Sequence, residues 1–110
     1  MADYMIQLSY TAPAMAALVA RPQNRLEAVQ KSIESLGGKV QSFWMSFGEY
    51  DVVGIMEMPN NVSAAAFAMA IAAGGACHNI KTTPLLKMEE GLKAMKKAGS
   101  TGYKPVTSTE

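Results

Sequence analysis

One cysteine, Cys77, and one histidine, His78, stand in a chain of 110 residues, and each scarcity closes off a class of protein. A lone thiol closes no intramolecular disulfide framework and fits a reducing compartment. A zinc site takes three or four such ligands, so no metal centre is expected within one chain; only a symmetric pairing of two chains doubles the ligand count. Charge of either sign is not in excess: 10 Lys+Arg face 9 Asp+Glu, a formal net charge of +1. Such a chain exerts no long-range attraction on nucleic acid or an anionic membrane, and neither is an expected partner. Long apolar runs are missing too. The Ala-rich residues 62–73 are too few to span a bilayer, and MADYMIQLSY at the start lacks the basic opening and apolar core of a signal peptide. The expected compartment is the cytoplasm. No phosphate loop, dinucleotide fingerprint, serine nucleophile elbow or H-E-x-x-H motif occurs, and no cofactor is implied.

What the chain does have is clear periodicity. Residues 4–10 alternate, with Tyr4, Ile6, Leu8 and Tyr10 on one face, which predicts a strand. Pro13 opens a short helix that Pro22 ends, since proline has no N–H and restricts the residue before it. From Asn24 the period becomes helical, with Leu26, Val29, Ile33 and Leu36 as the apolar stripe and Gly37-Gly38 as the C-cap. Residues 39–47 and 50–58 read as two further strands, apolar in part on both faces. Asn60 and Asn61 offer a cap to a helix over 62–73. Residues 77–86 give a fourth strand, confined to an edge or kinked by Pro84, and residues 87–98 a last helix with Leu92 and Met95 inward and Lys93, Lys96 and Lys97 on a solvated face.

The order β-α-β-β-α-β with an added C-terminal helix predicts an α+β, ferredoxin-like domain over residues 1–98, followed by a polar tail at 99–110. Helices on one face leave a half-apolar sheet face open, and a second copy of the same sheet covers it economically. A homodimer, or an assembly of dimers, is expected, with the face carrying Trp44 or the face carrying Phe43 between the sheets. The tail, through Tyr103 and Pro105, is expected on the partner subunit.

At this point the chain resembles the GYD domain family, small bacterial and archaeal proteins placed among the dimeric α+β barrels. The likeness rests on the N-terminal strand, on RLEAVQKSIESLGGKVQSFWMSFGEYDVVGIMEMPNN at residues 25–61, on the Ala-rich helix that follows, and on the ending MEEGLKAMKKAGSTGYKP. The resemblance implies that fold and a dimer. It implies no particular reaction.

Candidate residues gather at G-E-Y-D, residues 48–51. Gly48 suits the positive φ of a short hairpin and Asp51 can accept backbone N–H groups, which makes both structural turn residues. The functional reading makes Asp51 a base or ligand contact and Tyr50 a hydroxyl donor. His78 is the first acid–base candidate because its side chain titrates near neutrality without help; as neighbours on a strand, it and Cys77 point to opposite faces. Tyr4, Tyr10, Trp44 and Tyr50 frame an aromatic ligand pocket or lie at an interface. The nine methionines, among them Met45, Met56, Met58 and Met69, read as adaptable core filling rather than soft-metal ligands. Two functions follow: a homodimeric module binding a small molecule or a partner protein, or a cofactor-independent monooxygenase or isomerase acting between sheet and helices, the latter by analogy with other dimeric α+β barrels.

Overall fold

Strand β1 (Ala2–Tyr10) runs through the middle of the sheet, and its alternation divides the molecule into a covered side and a free one. The computed structural model describes residues 1–107; residues 108–110 of the expected tail lie outside the described residues. After β1 come α1 (Ala12–Ala20), α2 (Leu26–Ser35), β2 (Lys39–Met45), β3 (Val52–Met58), α3 (Asn61–Gly74), β4 (Cys77–Leu85) and α4 (Met88–Gly99). The sheet order is β2-β3-β1-β4 with every neighbouring pair antiparallel. The fold is α+β and ferredoxin-like, with α1 added to the first crossover and α4 at the end.

On the covered side, Tyr4 and Ile6 of β1 and Met56 and Met58 of β3 meet Ile33 of α2 and Ala64 and Phe67 of α3. Removing this apolar surface from water supplies most of the folding free energy, at about 1.5–3 kcal/mol per large side chain. Met56 and Met58 are core residues as the periodicity predicts, whereas Met45 is 82% and Met69 69% exposed. Met45 lines the cavity described below, and neither of the two belongs to the core. The opposite sheet face carries Met5, Val53 and Ile55, all half-buried, with Trp44 exposed beside Val53.

Local chemistry accounts for the element ends. Thr11 caps α1 by accepting from the Ala14 N–H, and Asn60 caps α3 by accepting from the Ser63 N–H. Helix α2 stops where the Gly37 and Gly38 N–H groups donate to the Glu34 and Ile33 carbonyls, a Schellman closure. Pro84 sits in the edge strand β4, where a missing donor does least harm. Strands β2 and β3 are shorter than the 39–47 and 50–58 predicted, because the carbonyls of residues 49–51 bond to serines instead of to a ladder.

The last helix departs from expectation. Leu92 is 52% and Met95 69% exposed, and α4 buries none of its residues, since no surface of the same chain covers its apolar stripe. The molecule measures 62 × 31 × 22 Å with a radius of gyration of 17.9 Å, against roughly 13 Å for a compact domain of this length. The C-terminal arm stands away from the body.

Gly54 marks a close approach that alternation alone does not reveal. It pairs with Ile6 on one side and Phe43 on the other, and a Cβ there would lie 2.8 Å from Cδ1 of Phe43 and 3.0 Å from the Ser42 carbonyl oxygen. The Phe43 ring therefore rests on the backbone of β3. Gly54→Val is expected to lower stability by about 1–3 kcal/mol through overpacking, while Gly74→Ala, whose Cβ meets nothing within 4 Å, is neutral or slightly stabilising. Urea denaturation of the two variants checks the contrast.

Candidate functional site

The β1–β3 ladder ends at Leu8 opposite Val52, yet the bonding between the two segments continues. The Asp51 N–H donates to the Leu8 carbonyl at 2.8 Å, and the Asp51 carboxylate accepts the Tyr10 N–H at 2.8 Å. A side-chain oxygen thus stands in for the ladder carbonyl that the chain no longer supplies once it turns away. Around it, the Ser9 hydroxyl donates to the Glu49 carbonyl, the Ser46 hydroxyl to the Tyr50 carbonyl and the Ser46 N–H to the Asp51 carbonyl. Gly48 carries a φ of +154°, a region essentially restricted to glycine. The turn is a clamp on the end of β1.

What the clamp holds is Tyr10, which lines two cavities at this end of the sheet. The larger, about 730 Å³, lies between α1, residues 22–25 and the sheet, with Met15, Leu18, Phe43 and Val52 in its walls. The smaller, about 300 Å³, lies between α2 and α3 and includes Phe67, Ile71 and Cys77. Arg25 and Tyr10 belong to both. Arg25 is the one charged side chain among the described residues lining either cavity. It takes part in neither ion pair found among the described residues, Lys31–Glu27 and Lys39–Glu57, and its guanidinium donates to the Gln23 side chain.

Burial pushes the Tyr10 hydroxyl above its ordinary range, with Cys77 and Asp51 acting in the same direction and Arg25 against it. Burial likewise pushes the Cys77 thiol up, with Asp51 adding to the rise and Arg25 opposing it. At neutral pH both groups are protonated donors next to a guanidinium. The arrangement can receive a negative charge at the rim of an apolar space.

The four aromatic residues named from the sequence do not share one pocket. Tyr4 is buried beneath α3, its hydroxyl donating to the Asn61 side chain. Trp44 is on the other sheet face, and Tyr50 is half-buried in the turn without lining either cavity. His78 is exposed where the β1–β4 register shifts, apart from both cavities. Among the described residues no three His, Cys, Asp or Glu side chains gather as a metal site, and no helix is long and apolar enough to cross a membrane. Arg25 carries little signal in the sequence, because one arginine ahead of an amphipathic helix reads as a solvated start. Its sign was the available clue, since a cation at a helix N-terminus opposes the helix dipole.

The family model described as GYD domain matches residues 4–95. The chain belongs to the GYD domain family. No curated protein matches it. Among solved structures, the hypothetical protein PHS023 from Pyrococcus horikoshii shares 15% identity with this GYD chain over 81% of its length and 95% of the other, with a TM-score of 0.50. The crystal structure of FFRP-DM1 shares 18% identity over 78% of this chain and 100% of its own, with a TM-score of 0.49. The PHS023 likeness is one of fold.

Two outcomes test the clamp. Asp51→Asn retains an acceptor for the Tyr10 N–H and is expected to cost about 1 kcal/mol or less, whereas Gly48→Val forces a β-branched residue to positive φ and costs more, about 1–3 kcal/mol; chemical denaturation separates them. The pH–rate profile of Cys77 alkylation reads the electrostatics. Its midpoint should lie above that of an ordinary cysteine, fall when Asp51→Asn removes a neighbouring negative charge, and rise when Arg25→Gln removes a positive one.

Proposed function

We propose that this GYD domain works as a homodimeric module that binds a small molecule in the larger cavity beside Tyr10. The observation that carries this reading is the cavity itself, about 730 Å³, mostly apolar and with a few polar residues, Tyr10, Gln23, Asn24 and Arg25, in its lining, which is the usual make-up of a small-molecule site. The alternative, a cofactor-independent monooxygenase or isomerase, would call for His78 or Asp51 with a tyrosine around one enclosed polar pocket. Neither residue lines either of the two cavities described, and the Asp51 carboxylate already accepts a backbone N–H. These positions favour binding over turnover.

The dimer is supported by what the single chain leaves uncovered. Trp44 is 68% exposed on a sheet face whose central residues are Met5, Val53 and Ile55, and α4 offers Leu92 and Met95 with nothing over them. Phe43 belongs to the covered side and to the cavity wall, so the Trp44 face is the one proposed to meet the partner, with α4 and the tail wrapping that subunit.

Sedimentation equilibrium at micromolar concentration is expected to give a dimer for the parent chain and a folded monomer for Trp44→Lys, because a lysine ammonium would be desolvated at the centre of the interface. A stable, folded parent monomer contradicts the assembly. For the cavity, a thermal-shift screen of small apolar compounds should raise the melting temperature of the parent by mass action, and Leu18→Trp, which fills the space from α1, should abolish the response.

A further inference from the structure

Resting on the cavity reading above, we infer that the ligand class is a monocarboxylate with an apolar body, its carboxylate against Arg25 and Tyr10 and its body along Met15, Leu18 and Phe43. The placement follows from what lines the space. Its lining is apolar except for Tyr10, Gln23, Asn24 and Arg25, the last three consecutive in the chain, so a ligand that fills it is apolar over most of its surface and polar where it meets them. Gln23, Asn24 and Arg25 are exposed, so the polar end of such a ligand lies at the mouth of the cavity, where a charged group keeps part of its hydration while the apolar end leaves water.

The sign of that end follows from Arg25. A guanidinium at the edge of an apolar cavity, with no carboxylate of its own among the described residues, attracts an anion and repels an ammonium head. Asp51, whose carboxylate accepts the Tyr10 N–H, lines neither cavity. A single cation lines the site, together with a neutral hydroxyl and two side-chain amides. One negative charge is matched there, whereas a phosphate dianion would retain an uncompensated charge next to apolar walls. Arginine's planar fork also fits a carboxylate's two oxygens. The apolar body then decides against small hydrophilic acids, because an acetate-sized ligand would leave the Met15–Phe43 region without contact.

Three probes of equal chain length separate the contributions: octanoate, octan-1-ol and octylammonium, each titrated into the full-length protein carrying 13C-methyl methionine. Met15 and Met45 line the cavity, and Met5 on the opposite sheet face serves as the internal control. Octanoate is expected to shift the Met15 and Met45 resonances but not Met5, and to bind at least about tenfold more tightly than the other two, the usual margin for a charge-assisted hydrogen bond. Arg25→Gln should erase that margin, and Arg25→Lys should restore part of it. If octan-1-ol matches octanoate and Arg25→Gln changes nothing, the cavity binds ligands but the carboxylate assignment is wrong. If no probe moves Met15 or Met45, the cavity reading itself falls and the inference with it. If these resonances respond only once Leu92→Lys and Met95→Lys are introduced together, the space belongs to the partner's C-terminal arm and the monocarboxylate class is overturned.

Discussion

The hydrogen bond from the Tyr10 N–H to the Asp51 carboxylate is the contact on which the geometry of this end of the molecule depends. Strand β1 is the centre of the sheet, and its last residue would otherwise present a half-buried N–H with no ladder partner. An unmet donor of that kind costs about 1–3 kcal/mol. By meeting it from the hairpin, Asp51 joins the end of β1 to the β2–β3 turn and fixes where the Tyr10 backbone lies. The side chain of Tyr10 lines both cavities. A residue type that looks catalytic acts here by positioning a neighbour. The buried Ser9, 3% exposed, has the same logic, because its hydroxyl is spent on the Glu49 carbonyl.

A second constraint is the unequal treatment of the two sheet faces. Tyr4, Ile6, Met56 and Met58 point to the helices and are buried; their neighbours Met5, Val53 and Ile55 point away and are only half-buried. The chain has one spare amphipathic element, α4, yet it leaves that helix standing off the body with no buried residue. An apolar face and an apolar helix stripe are left uncovered in the same molecule, and both are available to the homodimer proposed above. The same arrangement bears on the cavity. It sits on the covered side, away from the Trp44 face, so assembly through that face leaves it accessible.

Much of the fold was legible because it depends on local rules. Alternation marked the four strands, Asn60 marked the start of α3, and Gly37-Gly38 marked the end of α2 through turn chemistry that few other residues offer. Gly48, with a φ of +154°, and Asp51, which accepts the Tyr10 N–H, both lie in the connection between β2 and β3. Arg25 was not legible, because its significance arises only when the fold places it in the lining of the same cavity as α1 and the sheet. Gly54 was hidden for a related reason. A glycine between valine and isoleucine looks like one more strand position until the Phe43 ring is seen resting on it. The helical period of α4 was visible, but a stripe of apolar residues says which side wants cover and nothing about which chain supplies it.

Native-state amide hydrogen exchange at Tyr10 tests the central claim most directly, because it reads the one N–H that the Asp51 carboxylate holds. In the parent chain this amide should be protected, and in Asp51→Ala it should exchange markedly faster while the amides of Ile6 and Met56 in the same sheet keep their protection. Unchanged protection at Tyr10 in Asp51→Ala, or an equal loss at all three amides, would contradict the account.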